Sequence, residues 1–274
     1  MVQQGKGRDR AGVVAGAALA LAGLVGAGGC SARAGAAADD RAGADVVQRA
    51  ADVLAVARSS KVVTSMTMAS GGTRVTIRGE GGFDFVRRTG QLRVVLPKDA
   101  AGAEEHRPIT EVLTPDAVYM KNRGANVPAD EWVEVEPAKL PDGNLVTNGA
   151  TDPLVAAELL RGAHGVTYVG QEDLGGVRVR HYTGTADLTA ASKGAPAPIG
   201  RALAAAAKAF AGSSVPFDAY FDDRGRLRKV RHRFDFANKG DTVEVASTTL
   251  LFGFGTPVKA GLPPKGQIYA GTVQ

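Results

Sequence analysis

Apolar and polar residues alternate in short segments through much of this chain, and this pattern constrains the fold more than any other feature. In an early segment, Met66 and Met68 alternate with Ser65 and Thr67. Because successive side chains of a β-strand point to opposite faces, the alternation predicts strands with one buried face. Strands that follow one another with only short turns between them pair antiparallel. The pattern therefore predicts an antiparallel meander after residue 61.

Three segments interrupt the strands with the apolar spacing of a helix. The first is predicted to begin at a capping residue, Asp45, and to end near Arg58. The second opens with Asp152 at the cap and Pro153 at the first helical position. The third is the alanine-rich stretch of residues 199–211.

Glycine pairs separate the strand-like segments. They stand at residues 71–72, 81–82 and 175–176, where the chain is predicted to turn tightly. About ten strands in one sheet tend to curl rather than stay flat, and three helices must bury their apolar faces. The predicted fold class is α+β: a single curled antiparallel sheet, or half-open β-barrel, covered by about three helices. No repeat or linker divides residues 45–274, so they are predicted to form one domain.

The only cysteine, Cys30, follows an apolar stretch that begins after Lys6, Arg8 and Arg10. A basic leader, an apolar core and small residues before a cleavage point form a secretory signal. The string "LVGAGGCS" around this cysteine resembles the lipobox of bacterial lipoproteins, although Ala27 stands where Leu or Val is usual. In that family the thiol becomes a diacylglycerol thioether and the cysteine becomes the first residue. The resemblance implies a signal peptide over residues 1–29, with a lipidated Cys30 and a flexible tether over residues 30–44.

Other interpretations of this leader stay open. An uncleaved transmembrane anchor needs about 20 strongly apolar residues, whereas this stretch is mostly alanine and glycine. A soluble secreted product cut near residues 36–38 is the second alternative. If Cys30 carries lipid, the mature chain has no thiol for a disulfide, a nucleophile or a metal ligand.

The charge balance gives little sign of a nucleic-acid partner. The formal net charge is +5, and the leader contributes three basic residues and one acidic residue to it. No basic tract with interleaved aromatic residues is present. One basic cluster, residues 224–233, fits either a solvated strand face or attraction to an anionic membrane surface.

The sequence predicts neither catalysis nor a cofactor. The four histidines, His106, His164, His181 and His232, lack the spacing that sets two imidazoles on one metal ion. No nucleophile elbow or phosphate-binding glycine loop is found. We therefore predict a protein that is not an enzyme and holds no metal.

The order of several segments resembles the bacterial lipoprotein-carrier fold shared by LolA and LolB and by the LppX/LprG lipoproteins of mycobacteria. The matching strings are "KVVTSMTMASGGTRVTIRGEGGFDF", "EVLTPDAVYMK", "EWVEVE", "VRVRHYTGTADL" and "VPFDAYFDDRGRLRKVRHRFDF". With the first helix they span residues 45–262. In that family the curled sheet and its helices enclose an apolar cavity for acyl chains, and membrane-anchored members bind or move lipids or lipidated molecules.

The resemblance implies a lipoprotein on the extracytoplasmic face of the cell membrane whose partners are acyl lipids or lipidated molecules. Apolar contact, worth ~0.8 kcal/mol per buried CH₂, would hold such chains without polar chemistry. The candidate lipid-binding residues are apolar strand positions that could instead be ordinary core. They are Met66, Met68, Val75, Ile77, Phe83, Phe85, Val94, Leu96, Val118 and Met120.

A second function class stays open beside the carrier. It is a noncatalytic envelope adaptor lipoprotein that binds another protein and whose half-barrel is filled. A continuous apolar pocket of roughly 300 to 1,000 Å³ would favour the carrier. A filled interior would favour the adaptor.

Overall fold

The computed structural model describes residues 41–97, 107–124, 127–128, 130–147, 152–210, 212–238 and 241–270. Eleven strands form its sheet. They are β1 Ser59–Ser70, β2 Thr73–Asp84, β3 Thr89–Val95, β4 Ile109–Leu113, β5 Val118–Lys121, β6 Trp132–Val135, β7 Ala163–Asp173, β8 Arg178–Asp187, β9 Ser214–Phe221, β10 Leu227–Asn238 and β11 Asp241–Phe252.

All strand pairs of this single sheet are antiparallel, in the order β6-β5-β4-β3-β2-β1-β11-β10-β9-β8-β7. The first and last strands pair at its centre, where Thr64 lies opposite Thr249. The sheet is not closed, because β6 and β7 stand at its two edges. The predicted α+β half-open barrel is confirmed, with eleven strands in place of about ten.

Four α-helices accompany the sheet in the described part of the chain, and residues 41–48 are also helical. The helices are α1 Ala50–Ala57, α2 Pro153–Leu159, α3 Leu188–Gly194 and α4 Ala197–Ala209. Helix α3 was absent from the sequence prediction. This helix is short, and Asp187 is its N-cap residue. The Asp187 side chain accepts a hydrogen bond from the Ala190 amide at 2.6 Å.

The first helix begins earlier than predicted. Residues 41–44, at the end of the predicted tether, are already helical, so Asp45 is not a cap. The Asp45 carbonyl instead accepts a hydrogen bond from the Arg49 amide at 3.2 Å. Gly43 packs beside Tyr182, which ties this early turn to the sheet. The predicted end is confirmed, since Arg58 leaves the helix with a φ of 72°.

Two of the three predicted glycine turns are confirmed. The pairs at residues 71–72 and 175–176 all have positive φ angles, which glycine adopts at no steric cost. The third prediction was wrong, because residues 81–82 lie inside β2. A Cβ at Gly81 would stand 1.9 Å from the carbonyl oxygen of Gln91 on β3. Glycine is needed here for the close approach of two strands, not for a turn.

The helices pack on one face of the curled sheet, and the core lies between them. Alternation on β1 places Val62 and Met66 in this core, where Leu54 of α1 is also fully buried. Residues of the basic cluster divide between two environments. Arg231 and Arg233 are exposed, whereas Arg226 forms an ion pair with Asp222 at 2.8 Å.

Candidate functional site

A partly enclosed cavity of about 420 Å³ lies where the end of β2 and the beginning of β5 meet the beginnings of α2 and α4. Each wall comes from a different element, so the cavity exists only after the helices have packed on the sheet. Its volume falls in the range of pockets that hold small molecules. The lining residues are Phe83, Arg88, Thr114, Pro115, Asp116, Ala117, Val118, Tyr119, Glu134, Glu136, Pro137, Ala138, Gly143, Asn144, Asp152, Leu154, Val155, Pro198, Ile199, Arg201, Ala202 and Leu262.

The inner wall of this cavity is apolar. Phe83 of β2 and Val118 of β5 are buried there, as are Leu154 of α2 and Ile199 of α4. These side chains are at most 8% exposed, so they form the closely packed back of the cavity. Contact with hydrocarbon is the interaction that this wall can offer.

Charged residues stand at the rim. Arg201 of α4 approaches Asp116 of the β4–β5 turn at 3.9 Å, with both side chains mostly exposed. The Tyr119 hydroxyl donates to Glu134 at 3.2 Å on the same side of the cavity. The rim therefore carries charges of both signs around a wall that contains buried apolar side chains.

Asp152 joins the cavity wall to the start of α2. Its carboxylate accepts hydrogen bonds from the amides of Leu154 at 2.7 Å and Val155 at 3.3 Å, which confirms the predicted cap. Burial raises the pKa of Asp152 to about 6, and the two amide hydrogen bonds oppose that rise. Asp152 is therefore a structural residue at the cavity wall.

Asn144 is a further polar residue of this wall. It has a φ of 67° and lies in a loop organised by Asp142, whose carboxylate accepts hydrogen bonds from the amides of Val146 and Thr147. The Asn144 Oδ1 atom is buried and has no hydrogen-bond partner among the residues that the structure describes. No sequence pattern identifies Asn144, because its position depends on this loop.

Glu111 is a buried carboxyl close to the same region. It lies on the core face of β4, between Leu92 of β3 and Met120 of β5 in the strand register. Burial raises its pKa to about 8, an effect that the Arg123 charge opposes and the Asp152 charge reinforces. Its position between Ile109 and Leu113 was a usable sequence signal, since alternation places all three on one face.

The ten predicted lipid-binding residues all belong to one hydrophobic core or pack directly against it. Two of them, Phe83 and Val118, line the cavity. Met66, Ile77, Phe85, Val94 and Met120 are buried in the core, and Met68, Val75 and Leu96 are partly buried against it. Lipid contact by these residues stays a prediction. Cys30 lies outside the described residues.

Within the described ranges, no group of three or more His, Cys, Asp and Glu side chains is placed to hold a metal ion. None of the helices in the described part of the chain is long and apolar enough to cross a membrane. His181 contacts two carboxylates, Glu172 at 2.7 Å and Asp218 at 3.1 Å.

No protein-family model and no curated protein matches this chain. Among solved structures, the lipoprotein LppX from Mycobacterium tuberculosis is 14% identical, with a TM-score of 0.49, and the match covers 81% of this chain and 100% of that one. LprF from Mycobacterium bovis is 15% identical, with a TM-score of 0.42, over 81% and 97% of the two chains. A LolA superfamily protein from Nitrosomonas europaea is 12% identical, with a TM-score of 0.36, over 82% and 96%.

Proposed function

We propose that this chain is an envelope carrier that holds the acyl chain of a lipid or lipidated molecule between its sheet and its helices. The observation that supports this function best is the cavity of about 420 Å³, with buried Phe83, Val118, Leu154 and Ile199 along its inner wall. Each CH₂ group that leaves water for such a wall contributes ~0.8 kcal/mol. The function needs no catalytic residue and no cofactor.

The proposal includes a membrane anchor at Cys30. The apolar leader before this residue and the absence of another cysteine in the sequence support it. A diacylglycerol group there would hold the protein at the extracytoplasmic face of the cell membrane. The cavity would then work next to the lipid surface from which it takes its ligand or to which it delivers it.

The test is a pair of valine-to-tryptophan variants on two helices. Val155 of α2 lines the cavity, whereas Val56 of α1 is 83% exposed. The Val155→Trp side chain should occupy space meant for hydrocarbon and reduce binding of a fluorescent long-chain acyl probe by about tenfold or more, which is about 1.4 kcal/mol. Val56→Trp should leave binding unchanged. Both variants should keep a melting temperature close to that of the parent.

Native mass spectrometry of protein purified from its own membrane gives an independent measurement. An acyl lipid that co-purifies with the parent, and not with Val155→Trp, is the expected result. A parent protein that binds no acyl probe and carries no lipid would contradict the carrier function.

The adaptor function has one observation in its favour. Met66, Ile77, Phe85, Val94 and Met120 are closely buried in the core and do not line the cavity. A half-barrel filled by its own side chains has no room for an acyl chain. Its function would then be to bind another protein. Failure of lipid binding in the experiment above, together with an unchanged fold, would favour this second function.

A further inference from the structure

Among the buried polar residues on the core face of the three central strands, four have a side-chain atom without a hydrogen-bond partner in the described part of the chain. Ser60 and Thr64 belong to β1, Thr249 to β11 and His232 to β10, and each is at most 2% exposed. We refer to these four residues as the central polar patch. They stand in the part of the sheet where apolar side chains would be expected.

The strand register makes the patch nearly continuous. Thr64 lies directly opposite Thr249. His232 lies opposite Ser247, which precedes Thr249 by two residues on the same face of β11. Directly opposed residues in an antiparallel pair have Cβ atoms about 4.5 to 5.5 Å apart. The neighbours of Thr64 on the same face of β1 are the buried apolar residues Val62 and Met66.

The polar atoms of the patch lack partners within the protein. The hydroxyl oxygens of Ser60, Thr64 and Thr249 and the Nε2 atom of His232 make no hydrogen bond to any residue that the structure describes. Buried polar groups in folded proteins are nearly always paired, since an unpaired one destabilises the fold. Valine has almost the shape of threonine and would fill the same space without this cost. Packing alone therefore does not account for the two threonines.

The patch carries no formal charge. Burial lowers the pKa of the His232 imidazole to about 3, so this side chain is neutral at physiological pH. A carboxylate or phosphate brought here would be a buried charge without a counter-charge in the patch, which is strongly unfavourable. An uncharged acceptor, such as an ester carbonyl, matches the free hydroxyl donors of the threonines.

The patch is connected to the cavity through β1. Ser60 pairs directly with Phe83, which lines the cavity wall, and Thr64 lies on the same face four residues further along the strand, beyond Val62. Helix α1 contacts β1 and β10, and α2 contacts β10, so both helices cover this part of the sheet. None of the four residues lines the cavity, so an acyl ligand that enters beside Phe83 would reach the patch by separating the helices from the sheet.

We propose that Thr64, Thr249 and His232 form a binding site for the ester carbonyl of an acyl lipid, an assignment that rests on the proposed carrier function. The threonine hydroxyls donate hydrogen bonds to the carbonyl oxygen, and the neutral imidazole supplies a further donor or acceptor. The site would distinguish an esterified lipid from a plain hydrocarbon of the same length. It would also exclude a free fatty acid in its ionised form.

The experiment compares a pyrene-labelled long-chain methyl ester with the matching pyrene-labelled alkane. The parent should bind the ester about tenfold more tightly than the alkane. The double variant Thr64→Val/Thr249→Val should lose this preference, keep its affinity for the alkane and melt at the same or a higher temperature. Thr248→Val is the matched control, because Thr248 lines a groove on the outer face of the same strand. It should behave as the parent does.

A spectroscopic measurement separates a hydrogen bond to the carbonyl from a change of shape. The infrared stretching frequency of the bound ester carbonyl should be lower in the parent than in the double variant. Equal affinity of the parent for both probes, or an ester preference that survives in the double variant, would overturn the site and leave the carrier function in place. A parent that binds neither probe would overturn both.

Discussion

Arg161 donates a hydrogen bond from Nη2 to Oδ1 of Asp52 at 2.7 Å, and this contact ties α1 to the turn that follows α2. Arg161 also forms an ion pair with Glu158 of α2. The hydrogen bond from Arg161 lowers the pKa of Asp52. Both helices pack on the central strands of the sheet. The contact between Arg161 and Asp52 therefore holds the two helices together above the core.

The two partners of Arg161 should differ in their effect on stability. Asp52 is 55% exposed, so Asp52→Ala should lower the free energy of unfolding by no more than about 1 kcal/mol. Glu158 is 4% exposed, and Glu158→Ala should cost roughly 3 kcal/mol because a partly buried guanidinium loses its nearest partner. Urea unfolding of the two variants measures both values. Equal costs would contradict the importance of burial at this contact.

Glu111 should make the protein less stable as the pH rises. Its pKa is raised from an ordinary 4.5 to about 8, so the folded state holds a proton over this interval that the unfolded chain has lost. The free energy of unfolding therefore falls as the pH increases from about 4.5 to about 8. The difference near neutral pH is of the order of 3 kcal/mol.

The variant Glu111→Met tests this dependence. Methionine is unbranched and suits the apolar neighbours Leu92 and Met120. The variant should melt at a higher temperature than the parent at alkaline pH and close to the parent below pH ~4, where the glutamate is protonated in both states. Parallel melting curves across the whole pH range would show that Glu111 is not the group responsible.

Gly81 should not tolerate a side chain. Its Cβ would clash with the Gln91 carbonyl of the neighbouring strand, so Gly81→Ala should cost several kcal/mol or prevent folding. Gly212 has open space around it, and Gly212→Ala is the control that should be nearly neutral. Thermal unfolding of both proteins makes the comparison. A stable Gly81→Ala protein would mean that β2 and β3 can move apart at this point.

Cys30 should determine where the protein is found. Cys30→Ala removes the predicted lipid attachment, so the protein should appear in the medium or remain as uncleaved precursor. Fractionation and electrophoretic mobility measure both outcomes. A variant retained in the membrane with the mobility of the mature parent would contradict lipidation at this residue.

Short-range patterns in the sequence determined much of the local structure. The alternation around Met66 predicts β1, and Asp152 with Pro153 predicts the start of α2, because strand periodicity and helix capping depend on neighbours a few residues away. The same reasoning fails at Gly81. Glycine is required there because the backbone of β3 lies too close for a Cβ atom. A pattern of neighbouring residues carries no information about that contact.

The cavity and the central polar patch were decided only by the tertiary structure. Alternation assigns Phe83, Val118 and Met120 equally to a buried face. Only the first two line the cavity, whose opposite wall comes from the beginnings of α2 and α4. Thr64 and Thr249 become neighbours because β1 pairs with β11 across nearly the whole chain. Sequence periodicity specifies which face a side chain occupies, whereas the long-range pairing of strands and the placement of helices specify what that side chain meets.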